Sequence, residues 1–74
     1  MGEGFEILVN GIPRTFRDTE SLALDAARIL KDRDRSSEIT IINRGSRQWL
    51  IIADPFAKPG PWQDPAGGTL RIVS

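Results

Sequence analysis

The chain predicts an α+β fold of ββαββ order: one four-stranded, mainly antiparallel sheet, a single helix packed on one face, and a Pro/Gly-rich C-terminal tail. Three stretches predict it. "FEILVNGIPRTFR" alternates apolar and polar residues on either side of Asn10-Gly11, "DTESLALDAARILKDRDR" carries a helical apolar repeat behind a capping residue, and "EITIINRGSRQWLIIAD" gives a second strand, turn and strand. At 74 residues the chain is one domain, and a chain of that size removes only about 60% of its unfolded surface from water, so its stability is marginal.

In the first hairpin, Phe5, Ile7 and Val9 alternate with Glu6, Leu8 and Asn10, the period of a strand with one buried face. Asn10-Gly11 supplies the two positive-φ residues of a type I′ turn. A two-residue loop there sets Val9 opposite Ile12, Leu8 opposite Pro13, Ile7 opposite Arg14 and Phe5 opposite Phe16, which puts Phe5, Ile7, Val9, Ile12 and Phe16 on one face. Pro13 has no N–H to give, so the second strand, Ile12 to Arg17, belongs at a sheet edge, where the proline and arginines discourage edge-to-edge aggregation.

The helix is expected from about Thr19 to Arg33, capped by Asp18 or Thr19, with Glu20 in the first turn where the macrodipole favours an acid. Leu22, Ala26, Ile29 and Leu30 form its apolar stripe and Ala23 and Ala27 widen it. Glu38 to Asn43 is the third strand, with Ile39 and Ile41 on one side and Ile42 on the other. "NRGS" turns the chain with Gly45 as its left-handed residue. In the fourth strand Trp49 and Ile51 oppose Leu50 and Ile52, so both faces are apolar. The ββαββ domain is therefore 1–54. Residues 55–74 form the tail, and the stretch "DPFAKPGPWQDPAGG" holds four prolines and three glycines, which exclude a helix or a central strand.

Composition excludes much chemistry. There is no cysteine and no histidine, hence no thiolate ligand, no disulfide and no imidazole base; no cofactor or metal is expected, and no enzyme activity. The five serines lack an activating base. Asp32 and Asp34 in "KDRDR" alternate with cations at a helix end and read as a solvated charge run. Ten basic residues balance ten acidic ones, so the chain lacks the overall field that draws proteins to nucleic acid. A nucleic-acid surface would need a local patch, for which Arg14, Arg44 and Arg47 are the candidates, with Trp49 to stack a base. The N-terminal stretch has no basic region and no long apolar run, so a cytoplasmic location and no membrane partner are expected.

What remains is surplus apolar surface. One helix covers one sheet face, so Leu8, Ile42 and one of the pairs Trp49/Ile51 or Leu50/Ile52 point away from it and need a cover. Two covers are expected: the tail, through Phe56 and Trp62, or another protein surface. The contact residues proposed from sequence are Leu8, Ile42, Leu50, Ile52, Phe56 and Trp62, and the expected role is a protein-interaction or self-association module.

Two resemblances follow from the residues above. "DTESLALDAARILKDRDRSSEITII" resembles the threonine-capped, alanine-rich helix and following strand of small bacterial ββαββ domains of unknown function, which implies a fold and no activity. "ILVNGIPRTF" resembles the first hairpin of β-grasp sulfur-carrier and ubiquitin-like modules. Such carriers act through a C-terminal diglycine, and here Gly67-Gly68 is followed by "TLRIVS", so a carrier role implies processing at Gly68.

Overall fold

The structure, a computed structural model, describes residues 4–56 and 60–64. These form β1 (Phe5–Val9), β2 (Ile12–Arg17), α1 (Glu20–Arg33), β3 (Ile39–Asn43) and β4 (Trp49–Ile52). The four strands make one sheet in the order β2-β1-β3-β4, every pairing antiparallel, with α1 packed on one face. This is the expected ββαββ α+β architecture. β2 stands at the edge, as Pro13 requires. Because β1 has antiparallel neighbours on both sides, there is no place beside it for the parallel final strand of a β-grasp sheet.

Asn10 (φ 54°) and Gly11 (φ 83°) take the two left-handed positions of the first turn. Val9 pairs with Ile12 and Leu8 with Pro13, as that loop dictates. Beyond them the register departs from expectation. A bulge between Ile7 and Leu8 leaves Arg14 as the extra residue of β2, so Ile7 pairs with Thr15 and Glu6 with Phe16. One extra residue reverses side-chain parity, so Phe16 leaves the face of Phe5, Ile7 and Val9 and joins that of Glu6 and Leu8. The Phe16 ring then lies against Gly4, whose φ of 127° and missing side chain admit it.

Thr19 caps α1: its backbone is extended (φ −124°, ψ 157°) and its Oγ1 accepts the Leu22 N–H at 3.3 Å. The buried stripe of the helix runs through Ala23, Ala27 and Lys31, flanked by Leu24, Ala26 and Leu30 packed against the core, so the expected stripe is offset toward its alanine side and Leu22 and Ile29 stay 52% and 54% exposed. Packing explains the offset. The facing sheet layer is large and branched (Ile7, Ile39, Ile41, Leu50, Ile52), and alanines let the helix axis approach it where leucines would hold it off.

Ile7 pairs with Ile41 and Ile41 with Leu50, while Val9 pairs with Ile39 and Ile39 with Ile52, so both Leu50 and Ile52 point under the helix. Each is only 3% exposed. Their assignment as contact residues is thereby corrected, and the outward pair is Trp49 and Ile51. The β3–β4 turn also differs: Asn43 Oδ1 accepts the N–H groups of Gly45 (2.9 Å) and Ser46 (3.2 Å), and Arg47 rather than Gly45 takes the left-handed conformation, φ 70°.

Gln63 pairs with Trp49 through both backbone hydrogen bonds, 3.0 and 2.8 Å, so the tail adds to the outer edge of β4. Since Gln63 lies opposite Trp49, the neighbouring Trp62 faces the other way, toward the helix side. There it packs against the core, with its ring centroid 6.1 Å from that of Phe5. Trp62 covers the core beside Phe5. Phe56 is 77% exposed, and the Arg35 guanidinium stands 5.5 Å over its ring. The expectation that these two aromatics lie across the open sheet face is corrected accordingly. Gly67-Gly68 lies outside the described residues.

Candidate protein-interaction site

The sheet face opposite α1 is built by strand parity alone. β1 contributes Glu6 and Leu8, β2 Pro13 and Phe16, β3 Thr40 and Ile42, and β4 Trp49 and Ile51. Phe16 (44%) and Ile51 (41%) are exposed, and Leu8, Ile42 and Trp49 are half-buried between their cross-strand neighbours. Among the described residues no helix or strand lies over this face. Of the contact residues expected from sequence, the structure keeps Leu8 and Ile42 here and places Leu50, Ile52, Phe56 and Trp62 elsewhere. Phe16, Trp49 and Ile51 replace them. Trp49 and Ile51 were one of the two pairs left open by the alternation; Phe16 was hidden by the bulge, for which the sequence carries no evident signal.

The arginines of the nucleic-acid alternative do not converge. Arg44 and Arg47 line a hollow with Glu6, Ile42 and Asn43, and Arg44 pairs with Glu6 at 3.6 Å. Arg14 lines a different groove, with Thr15 and Arg17 of β2 and Ala26, Ile29 and Leu30 of α1. The Glu6 carboxylate beside Arg44 lowers the positive field of the former set, which weakens it further as a phosphate site.

The "KDRDR" run is less solvated than its composition implies. Lys31 is buried, and its Nζ donates to the carbonyls of Arg35 (2.9 Å) and Ser37 (2.7 Å). Asp34 accepts the hydroxyls of Ser37 (2.6 Å) and Ser36 (2.8 Å), and Ser37 Oγ accepts from Asn10 Nδ2 at 3.2 Å. Those hydroxyls, Ser37 first, hold the Asp34 carboxyl below the usual carboxylate range, with the Lys31 charge a smaller aid. A lowered proton affinity works against a general-base role for Asp34. The cluster joins the first hairpin turn, the helix end and the start of β3, where Asn10 also accepts the Glu38 N–H (2.8 Å). It is a structural tie.

Among the described residues no group of three side chains is placed to hold a metal ion, and no helix is long and apolar enough to cross a membrane. Compared with protein-family models, with curated proteins and with solved structures, the chain matches none.

Proposed function

We propose that this protein is a non-enzymatic protein-interaction module that associates with a second copy of itself through the open sheet face. The observation that carries this reading is the set Phe16, Leu8, Ile42, Trp49 and Ile51 on the side away from α1, spread over all four strands in two cross-strand rows, Phe16–Glu6–Ile42–Trp49 and Pro13–Leu8–Thr40–Ile51. Two features support self-association. Such a face is mostly apolar, with Glu6 and Thr40 as its polar positions, and is suited to stacking on a like sheet about 10 Å away, and a chain with ten cations and ten anions has no net repulsion to overcome when copies meet. The lack of cysteine and histidine supports the non-enzymatic part.

Size sets the expected strength. Four strands about 4.8 Å apart, each giving four or five residues at about 3.4 Å, make a face of roughly 300 Å² in projection. Doubled for side-chain relief it still falls short of the ~800 Å² per partner of a standard stable interface. The pairing is therefore weak and concentration-dependent. Light scattering over a concentration series tests it: the mass is expected to climb from 8.2 kDa toward twice that value, and Ile51→Glu or Ile42→Glu is expected to hold it at the monomer. A wild-type mass that stays monomeric up to about 1 mM, the weakest useful affinity, refutes the reading.

A further inference from the structure

We infer that the groove between β2 and α1 is a second docking surface, beyond the self-association proposed above, and that it takes an amphipathic helix bearing carboxylates beside its apolar stripe, supplied by a partner protein. The floor of the groove is Ala26, Ile29 and Leu30, and its β2 wall carries Arg14, Thr15 and Arg17. The two cations lining it face no lining carboxylate. Among the described residues neither Arg14 nor Arg17 stands within ion-pair distance of an acid, whereas Arg35 and Arg44 are paired with Asp32 and Glu6. Arg17 is held in place by its own strand, donating to Thr15 Oγ1 at 2.6 Å and to the Phe16 carbonyl at 2.7 Å.

The offset of the buried stripe of α1 produced this surface. Turning the alanine stripe inward left Ile29 exposed in the groove and Leu22 exposed on the same helix face, with Arg33 one turn beyond Ile29. On the strand, Ile12 is 69% exposed. An apolar strip with guanidiniums along one wall, in a chain of zero net charge, is complementary to apolar residues flanked by Glu or Asp. Acids adjoin the lining in sequence and on the helix surface, Asp18 after Arg17, and Asp25 and Asp32 one turn either side of Ile29, and they reduce this field without lining the groove.

The form of the occupant follows from the strand. β2 is an edge, but Pro13 offers no N–H and Arg14 sits in the bulge, so a partner strand cannot continue the ladder. Side-chain docking of a helix remains. The 14 residues of α1 extend about 21 Å, so a parallel helix of three to four turns spans the groove. The floor holds no aromatic ring to stack a base, and the cations line one wall of a cleft rather than a plane, which disfavours nucleic acid and a lipid surface.

The test uses the intact protein labelled with ¹⁵N and two synthetic helical peptides of equal length. One carries leucines at i, i+3, i+4 and i+7 flanked by glutamates, and the other has lysine at every glutamate. Amide shifts confined to Arg14–Arg17 and Ala26–Leu30 are expected with the acidic peptide. Arg14→Glu is expected to weaken binding at least tenfold, Ile29→Asp to do likewise, and Ile42→Glu on the open face to leave it unchanged. Both groove positions are exposed, so the variants fold, and circular dichroism checks this. No shifts at about 1 mM acidic peptide, equal binding of the lysine peptide, or shifts at the groove from anionic phosphatidylglycerol vesicles or single-stranded RNA alone would each overturn the inference. Failure of self-association with intact peptide binding would remove only the preceding proposal.

Discussion

Lys31→Met isolates what a buried ammonium does for this fold. Lysine sits in the last turn of α1 with only 9% of its surface exposed, and its Nζ bonds two carbonyls beyond the helix end, Arg35 at 2.9 Å and Ser37 at 2.7 Å. Methionine keeps the apolar stem that packs beside Ala27 and removes the charge. A hydrogen bond to a charged group contributes about 1.5–3 kcal/mol net when its loss leaves a buried partner unsatisfied. The Ser37 bond is buried and counts in full; the Arg35 bond is partly open to water, which replaces much of it. Relief of the ammonium's desolvation works the other way. The balance is a destabilisation of about 2 kcal/mol. For a domain of this size that lowers Tm by about 8–16 °C. Urea unfolding followed by tryptophan fluorescence measures it, with an unchanged slope showing that the denatured state is not altered. A change under about 0.5 kcal/mol, or a more stable variant, would refute the reasoning, because the buried charge would then cost as much as its bonds return.

Three further outcomes follow from the same structure. Gly4→Ala places a methyl 2.9 Å from Phe16 Cε2, and nearer Cζ, at a φ of 127° that L-residues rarely adopt; a loss of about 2–3 kcal/mol in urea unfolding is expected, only partly restored by adding Phe16→Ala because the backbone strain remains. Asp34 has its folded pKa depressed, so its stabilisation is present above the unfolded value and is lost as pH falls through the folded one; urea midpoints from neutral pH down to about pH 2 are expected to show a shallower acid limb in Asp34→Asn than in the wild type. Trp62→Ala removes a half-buried ring that packs against the core and is expected to cost about 1.5–2.5 kcal/mol, less than a fully buried tryptophan, with Trp49 left as the fluorescent reporter.

The elements were legible because each had a local cause. Asn10-Gly11 fixed the first turn, Thr19 the helix start, and Pro13 the position of β2 at the edge. What escaped the sequence was set by long-range fit. The bulge at Arg14 sends Phe16 to the open face, where its ring lies against Gly4, twelve residues back in the chain. The helix stripe centres on alanines, with Leu24 and Leu30 at its margins, because the isoleucine layer it meets is large, a fact about the partner surface that the helix's own periodicity does not contain. Leu50 and Ile52 could not be told from Trp49 and Ile51 by alternation, since both pairs are apolar; only pairing with Ile41 and Ile39 decided it. Lys31 looked solvated for the same kind of reason: its two acceptors are carbonyls, invisible in the residue types.

A sheet with one helix can bury one face, and the chain satisfies that face with five branched or long aliphatics and two alanines. Further apolar side chains on the other face do little for a core they cannot reach, and most such domains make those positions polar. Here the outward positions of β1, β3 and β4 instead read Glu6 and Leu8, Thr40 and Ile42, Trp49 and Ile51, one polar residue at most per strand. The helix repeats the pattern, holding Leu22 and Ile29 out of the core while alanines go in. Where sequence choices depart from what the isolated fold needs, and do so on contiguous surfaces, the departure points to use of those surfaces. That is why the open face and the β2–α1 groove, rather than the serines or the charge run, carry the functional proposals. They are also surfaces on which a single charge can be introduced with little cost to the buried layer, so binding and stability can be separated at residues such as Ile51 and Ile29.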